Sequence, residues 1–388
     1  MGSSPRAPHD PRDPLAPLAV RSAGTVQPHD PLALGPLAKV YLIWLPGASC
    51  EGCTVAVVGA THPRIEQLLT GAIPGLPRVE LVHTVLATES GAEWTENLWM
   101  AERGELDAPH ILTCEGSVMD ESRAGDGHWL GLGQDPATGR QVTSREWLDR
   151  LAPGAVATIA VGTCATWGGI PAAKGNPTNA TGVGDHLGVD YRSAAGVPVV
   201  NIPGCAPLGD NFVETASALL LHLNGLAPFP ELDELGRPSW LFADNVHAGC
   251  PRARYYEQGV FAAEAGSSTC LVELGCHGPV VQCNIAERGV IDGNGGCMSM
   301  GGICIGCTMP GFPDRFAPFF ETPTFETPAE TTTRVPGGFL RRMRAVRGRH
   351  PTPEGHRAND DHGTSRRPLG AASAPRFYRA GAGRSGRR

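Results

Sequence analysis

Between His247 and Cys307 the chain reads HAGC, then CLVELGC, HGPVVQC and GGCMSMGGICIGC. Seven cysteines fall here together with His247, among glycines and few charges. The stretch neither alternates like a strand nor repeats like a long helix. Side chains that would ordinarily make a core are replaced by ligands, so a small domain built around inorganic cofactors is expected. Cysteine thiolates bind zinc or iron–sulfur clusters. Zinc sites favour two close pairs of CxxC type. Here the close pairs Cys50/Cys53, His247/Cys250 and Cys304/Cys307 are separated by widely spaced single cysteines, which favours clusters.

A second set of cysteines follows short apolar runs. Residues 39–45 (KVYLIWL) precede GASCEGC, with Cys50 and Cys53. Residues 79–86 are a second strand candidate, and HILTCEG is a third, ending at Cys114 and Glu115. Residues 155–161 end in GTC at Cys164, and residues 197–202 end in PGC at Cys205. Such runs suit strands buried on both faces of a parallel sheet. Helices are expected from Thr54 with a restart at Pro63, over 93–102, at 146–151 and over 210–223. In an open parallel α/β sheet the loops after the strands share one edge, where ligands bind. Cys50, Cys114, Cys164 and Cys205 are therefore expected to gather there, in preference to being unrelated buried thiols.

The totals agree with a metal-binding chain. A length of 388 residues suggests two domains. Gly and Pro number 86 together and only 18% of residues are charged, a loop-rich composition. Twelve cysteines in a long chain without a visible secretory signal point to metal binding ahead of disulfides. The first 38 residues show no apolar signal core and no twin-arginine pair before one, and no apolar run is long enough to span a bilayer. A cytoplasmic, soluble chain is expected, with membrane association only through a partner. Residues 1–38 are Pro/Ala-rich and expected to be disordered. Residues 227–237 look like a linker, and one helix is expected near 252–264. An aromatic, Pro-rich segment after Pro310 suits lying across a partner.

From Arg334 onward the net charge is +11, leaving −18 for the remainder. This tail is expected to be disordered, with a short basic helix over 339–346 able to touch an acidic partner or lipid headgroups. No nucleic-acid recognition motif accompanies it, so nucleic-acid binding is set aside.

Together these motifs resemble the small, electron-transferring subunit of a [NiFe] hydrogenase, in particular the actinobacterial-type, high-affinity H2-uptake group. The resemblance rests on GASCEGC, the EGS at 115–117, GTCATWGG, GNPT, NIPGCAP, HAGC, CLVELGCHGP and CIGC, from about residue 42 to residue 313. It implies a flavodoxin-like α/β domain over 39–226 and a loop-rich iron–sulfur domain over 227–320, flanked by an extension at 1–38 and a tail at 321–388. It implies three clusters. The proximal [4Fe–4S] cluster would use Cys50, Cys53, Cys164 and Cys205. The distal [4Fe–4S] cluster would use His247, Cys250, Cys270 and Cys276, the neutral imidazole raising its potential. The medial cluster would use Cys283, Cys304 and Cys307. Many members carry proline where this chain has Cys297, and a fourth thiolate favours a medial [4Fe–4S] over a [3Fe–4S] cluster.

Further departures bear on the same sites. Gly52 and Gly169 stand where an oxygen-tolerant membrane-bound subgroup has two extra cysteines. Asp120 is a candidate proximal ligand, with Asp126 behind it; the alternative for Asp120 is a loop cap. Cys114 reads as an inert buried thiol. Glu115 and Glu51 could tune the proximal cluster or move protons, while His62, His83 and His222 receive no role. The nickel–iron centre would lie on a separate large subunit, and this chain would relay electrons to a respiratory acceptor. Two other classes share some features: a quinone-reductase subunit of respiratory complex I type, and a zinc-stabilised interaction module.

Overall fold

The computed structural model describes residues 31–83 and 92–315. The end of the second expected strand, the basic helix at 339–346, the Arg-rich tail and most of the aromatic segment lie outside the described residues.

Strand β1 (Lys39–Pro46) has every residue after Lys39 buried. It therefore needs cover on both faces, and the chain supplies it in order. Helices α1 (Gly52–Val58) and α2 (Ile65–Leu69) lead to β2 (Arg78–His83). Then come α3 (Ala92–Arg103), β3 (His110–Glu115), a short hairpin of β4 (Gly131–Gln134) and β5 (Gln141–Thr143), and α4 (Ser144–Leu151). Strand β6 (Ala157–Val161), α5 (Gly162–Trp167), α6 (Val183–Leu187), β7 (Val199–Ile202) and α7 (Gly209–Leu223) complete the first lobe. The parallel sheet runs β2-β1-β3-β6-β7. With the hairpin set aside, this is the flavodoxin-type order, whose ligand crevice opens where β1 and β3 diverge.

Strand alternation divides the core. Val40, Leu42, Trp44, Ile111 and Ile159 pack towards α7, whose Phe212, Val213, Leu219 and Leu220 are buried. Tyr41, Ile43, Leu45, Leu112 and Cys114 face the other way, against Trp94, Leu98, Trp147 and Leu148 of α3 and α4. Helix α4 starts where the Thr143 hydroxyl accepts the Glu146 amide at 3.2 Å.

Several expectations need correction. Residues 31–38 are not a disordered extension: the amides of Leu32 and Leu34 donate to the carbonyls of Ala195 and Leu223, and that of Leu37 to Asn224. The supposed linker at 227–237 is structured, with Arg237 fully buried. The helix expected near 252–264 is only α8 (Ala253–Glu257), because the chain turns at Gly259, in the left-handed region at φ +69°.

The second lobe has little regular structure beyond α8 and α9 (Ile285–Arg288). Its core is Val246, Ala262, Leu271, Val281 and Met298, interleaved with Cys250, Cys276, Cys283, Cys297 and Cys304. Sulfur thus occupies positions that aliphatic side chains hold in the first lobe. The lobes are tied by reciprocal Asn211–Asn284 amide bonds of 3.1 and 2.9 Å, by the Arg288–Glu214 ion pair, and by the Trp167 indole donating to the Thr308 carbonyl. Among the described residues no helix is long and apolar enough to cross a membrane.

Candidate metal centres

Three groups of sulfurs emerge. The first lies at the carboxyl edge of the sheet, with Cys50 after β1, Cys53 in the first turn of α1, Cys164 in the first turn of α5 and Cys205 after β7. Cys50 and Cys205 are exposed, and Cys53 and Cys164 half-buried. The four sulfurs act on one another. Burial, then Glu115, then Cys164, Cys50 and Cys205 push the Cys53 thiol far up. Burial raises Cys164 to about 11, with Cys205 and Cys50 adding to it and the Ile170 amide opposing.

Cys114 stays out of this group. Its side chain points to the α3–α4 side, 4% exposed, and burial alone raises its thiol to about 12. The reason is strand alternation: Glu115, one residue on, takes the other face.

Glu115 closes the floor of the first site. Its carboxylate accepts the Trp44 indole at 2.9 Å, the Cys53 and Thr54 amides at 3.0 and 3.2 Å, and the Thr54 hydroxyl at 2.5 Å. Helix α1 has no side-chain cap from its own N-cap residue. A carboxylate from β3 therefore caps the helix that carries Cys53. His83 sits 3.1 Å from the Thr54 hydroxyl and packs against the Trp44 ring at 5.2 Å, tilted by 31°, its pKa lowered by burial. Sequence reasoning gave His83 and Trp44 no part in this site; the β1–β2 register pairs them directly.

Close approach also requires a glycine. Gly162 has φ +84°, and a Cβ there would lie 2.3 Å from the Cys53 sulfur. Gly162→Ala is expected to cost about 2 kcal/mol or more, from backbone strain plus the clash, read as a lowered thermal midpoint.

The second group, Cys283, Cys297, Cys304 and Cys307, lines one cavity with Pro207, Leu208 and Ile285. Burial raises Cys307 to about 12, with Cys283 next. The third, His247, Cys250, Cys270 and Cys276, lines another cavity with Arg252 and Met298. Burial lowers the pKa of His247, which favours the neutral, metal-ligating imidazole. Its ring packs edge-on to Tyr256 at 4.5 Å.

The groups are joined in series. Gly204 and Ala206, on either side of Cys205, line the same cavity as Cys307, linking first to second. The Cys304 amide donates to the Cys276 sulfur at 3.3 Å, linking second to third. Thr163, next to Cys164, donates its hydroxyl to the Cys307 carbonyl and accepts the Gly204 amide at 2.9 Å.

Asp120 is engaged elsewhere. It caps the turn Glu121–Arg123, accepts the Ser122 hydroxyl at 2.7 Å and the Asn179 amide at 3.2 Å, and pairs with Arg145 at 3.1 Å. These bonds, Ser122 first, hold its carboxyl below the usual range. Asp126 is exposed.

The donor sets fit polynuclear iron. Buried thiols that raise one another's pKa cannot all ionise unless a cation stands among them. Among the described residues no three His, Cys, Asp or Glu side chains meet closely enough to hold a single ion. Tetrahedral zinc would draw its thiolates to ~3.8 Å of each other, whereas a cluster stands between its ligands and spreads them.

A flavodoxin-type lobe with sulfurs at its carboxyl edge, continued by a sulfur-cored second lobe, defines an electron-carrying iron–sulfur protein. The family formed by the C-terminal part of NiFe/NiFeSe hydrogenase small subunits matches residues 242–320. A family described as NADH ubiquinone oxidoreductase, 20 Kd subunit, matches residues 50–219. The periplasmic [NiFeSe] hydrogenase small subunit of Desulfomicrobium baculatum is 37% identical over 287 residues, 73% of this chain and 87% of that protein. The periplasmic [NiFe] hydrogenase small subunit of Solidesulfovibrio fructosivorans is 32% identical over 294 residues, 74% of this chain and 84% of that one. The actinobacterial-type NiFe-hydrogenase structure from Ralstonia eutropha aligns with TM-score 0.71 and 46% identity, covering 84% of this chain and 96% of that chain. The chain belongs to the [NiFe] hydrogenase small-subunit family. It is the electron-transferring partner of a large subunit that carries the nickel–iron centre. The quinone-reductase reading survives only as kinship of the first lobe, since the second lobe carries the hydrogenase match.

Proposed function

We propose that the chain holds three clusters in series: a proximal [4Fe–4S] on Cys50, Cys53, Cys164 and Cys205, a medial [4Fe–4S] on Cys283, Cys297, Cys304 and Cys307, and a distal [4Fe–4S] on His247, Cys250, Cys270 and Cys276. Such clusters supply one-electron storage, so electrons released from H2 on the large subunit leave through this chain to a respiratory acceptor. The observation that supports this reading is the succession of contacts between the groups: Gly204 and Ala206, on either side of Cys205, line the cavity of Cys283, Cys297, Cys304 and Cys307, and the Cys304 amide donates to the Cys276 sulfur. The chain's own residues keep water from the inner sulfurs and orient the thiols through amide donors. The exposed sulfurs of Cys50 and Cys205 mark the edge for the large subunit to cover. Asp120 is read as a loop cap, its oxygens already engaged.

H2-dependent dye reduction by the co-purified pair, absent for either chain alone, tests the function. A colourless, zinc-filled chain without labile sulfide would end it. Cys297→Pro tests the medial site: the oxidised EPR spectrum is expected to gain a [3Fe–4S] signal, and an unchanged spectrum would remove Cys297 from the ligand set. We place the pair in the cytoplasm as a heterodimer, although the Desulfomicrobium and Solidesulfovibrio relatives are named periplasmic; fractionation and native mass measurement decide both points.

A further inference from the structure

Arg237 lies in the stretch between the lobes, yet it is 1% exposed. A guanidinium is always charged, and burying one is costly unless it is paired. Asp233 accepts from its Nε and lies 2.7 Å from its Nη2. The same carboxylate accepts the amides of Leu235 and Arg237 at 2.9 and 3.0 Å, so the loop fixes its own arginine. The ring of Phe242 lies 4.9 Å from the guanidinium carbon. Nη2 also donates to the side chain of Gln282, the residue before Cys283. The Gln282 carbonyl in turn accepts the hydroxyl of Thr308, the residue after Cys307, at 2.8 Å. Nη1 is buried with no hydrogen-bond partner. A fixed cation with a donor to spare therefore stands against both loops that present Cys283 and Cys307.

We propose that Arg237 is a positioning residue for the medial site that also sets its reduction potential, its charge beside Cys283 favouring the reduced, more negative state. This rests on the assignment of Cys283, Cys297, Cys304 and Cys307 as one cluster's ligands. Reduction adds negative charge, and a nearby cation in a low-dielectric setting stabilises that state more than the oxidised one. The guanidinium reaches the ligand loops through the Gln282 side chain, one residue before Cys283, and the Gln282 carbonyl accepts from Thr308, one residue after Cys307. Asp233 offsets only part of the charge, because its carboxylate also accepts the Leu235 and Arg237 amides and is 22% exposed, while the side chain of Arg237 is 2% exposed.

The test is an EPR-monitored redox titration of the purified heterodimer. In Arg237→Gln the medial midpoint is expected to fall by at least a tenfold change in the reduced-to-oxidised ratio, about 59 mV for a one-electron couple. Arg237→Lys keeps the charge and is expected to stay near the parent value, which separates charge from packing. Asp233→Asn removes the counter-charge and is expected to raise the midpoint. An Arg237→Gln protein with its medial cluster intact and its midpoint unmoved overturns the inference. Should that variant lose the cluster, Asp233→Asn decides, and an unchanged or lower midpoint overturns it. A parent heterodimer without a medial signal removes the three-cluster reading as well, whereas a signal indifferent to both substitutions removes this inference alone.

Discussion

Cys205→Ala is expected to lower H2-driven dye reduction by the heterodimer more than ~100-fold, beyond what loss of an outer-shell partner costs a metal site. Exchange between H2 and deuterated solvent is expected to persist. Cys205 is exposed, so removing its thiol empties no core. The Thr163 hydroxyl's bonds to the Cys307 carbonyl and the Gly204 amide do not involve the Cys205 side chain and survive the change. What disappears is one of four mutually interacting sulfurs at the edge proposed to meet the large subunit. Exchange continues because H2 is split on the large subunit and no electron has to leave. Cys114→Ala supplies the contrast. It removes a thiol that is 4% exposed and has no cysteine neighbour at its site. Its cost is about 1 kcal/mol of stability, with dye reduction unchanged. Full activity in Cys205→Ala would remove the first sulfur group from the electron path, and inactivity in a folded Cys114→Ala would overturn the placing of Cys114 outside that group.

The two cysteines also show how far the sequence could be read. A continuous apolar run made β1 legible, and parallel topology then brought Cys50, Cys164 and Cys205 to one edge. It could not say which side of β3 each residue takes, because one residue of offset exchanges the faces. Cys114 went to the helical layer and Glu115 to the sulfurs. The pairing of Trp44 with His83 depends on strand register, and no local pattern in the sequence carries that. Arg237 was hidden for a related reason. A polar, Pro-rich stretch reads as linker, and burial of its arginine becomes apparent only when Asp233 and Gln282 are seen around it. The β4–β5 hairpin has strands of four and three residues, too short for alternation to register. In the second lobe, by contrast, His247 pairs with Cys250 and Cys304 with Cys307 within a few residues. Local spacing alone exposed those pairs.

Glu115→Ala is expected to destabilise the first lobe by about 3–5 kcal/mol, a large share of the ~5–15 kcal/mol that holds a domain together. Four donors converge on this one carboxylate: the Trp44 indole, the amides of Cys53 and Thr54, and the Thr54 hydroxyl. Each buried donor left unpaired costs about 1–3 kcal/mol, and loss of a helix cap about 1 kcal/mol. These terms overlap, and water entering the vacated space recovers part of them, so the total falls short of their sum. The thermal midpoint of the heterodimer should drop by about 10 °C. Glu115→Gln keeps one accepting oxygen but turns an amide N–H towards the donors, and an intermediate drop is expected. Because α1 carries Cys53 in its first turn, fraying of that turn should also lower iron retention, more in the alanine variant than in the glutamine one. A midpoint unchanged by Glu115→Ala would mean that the helix holds its own first turn, and the strand-to-helix cap would lose its place as the support of Cys53.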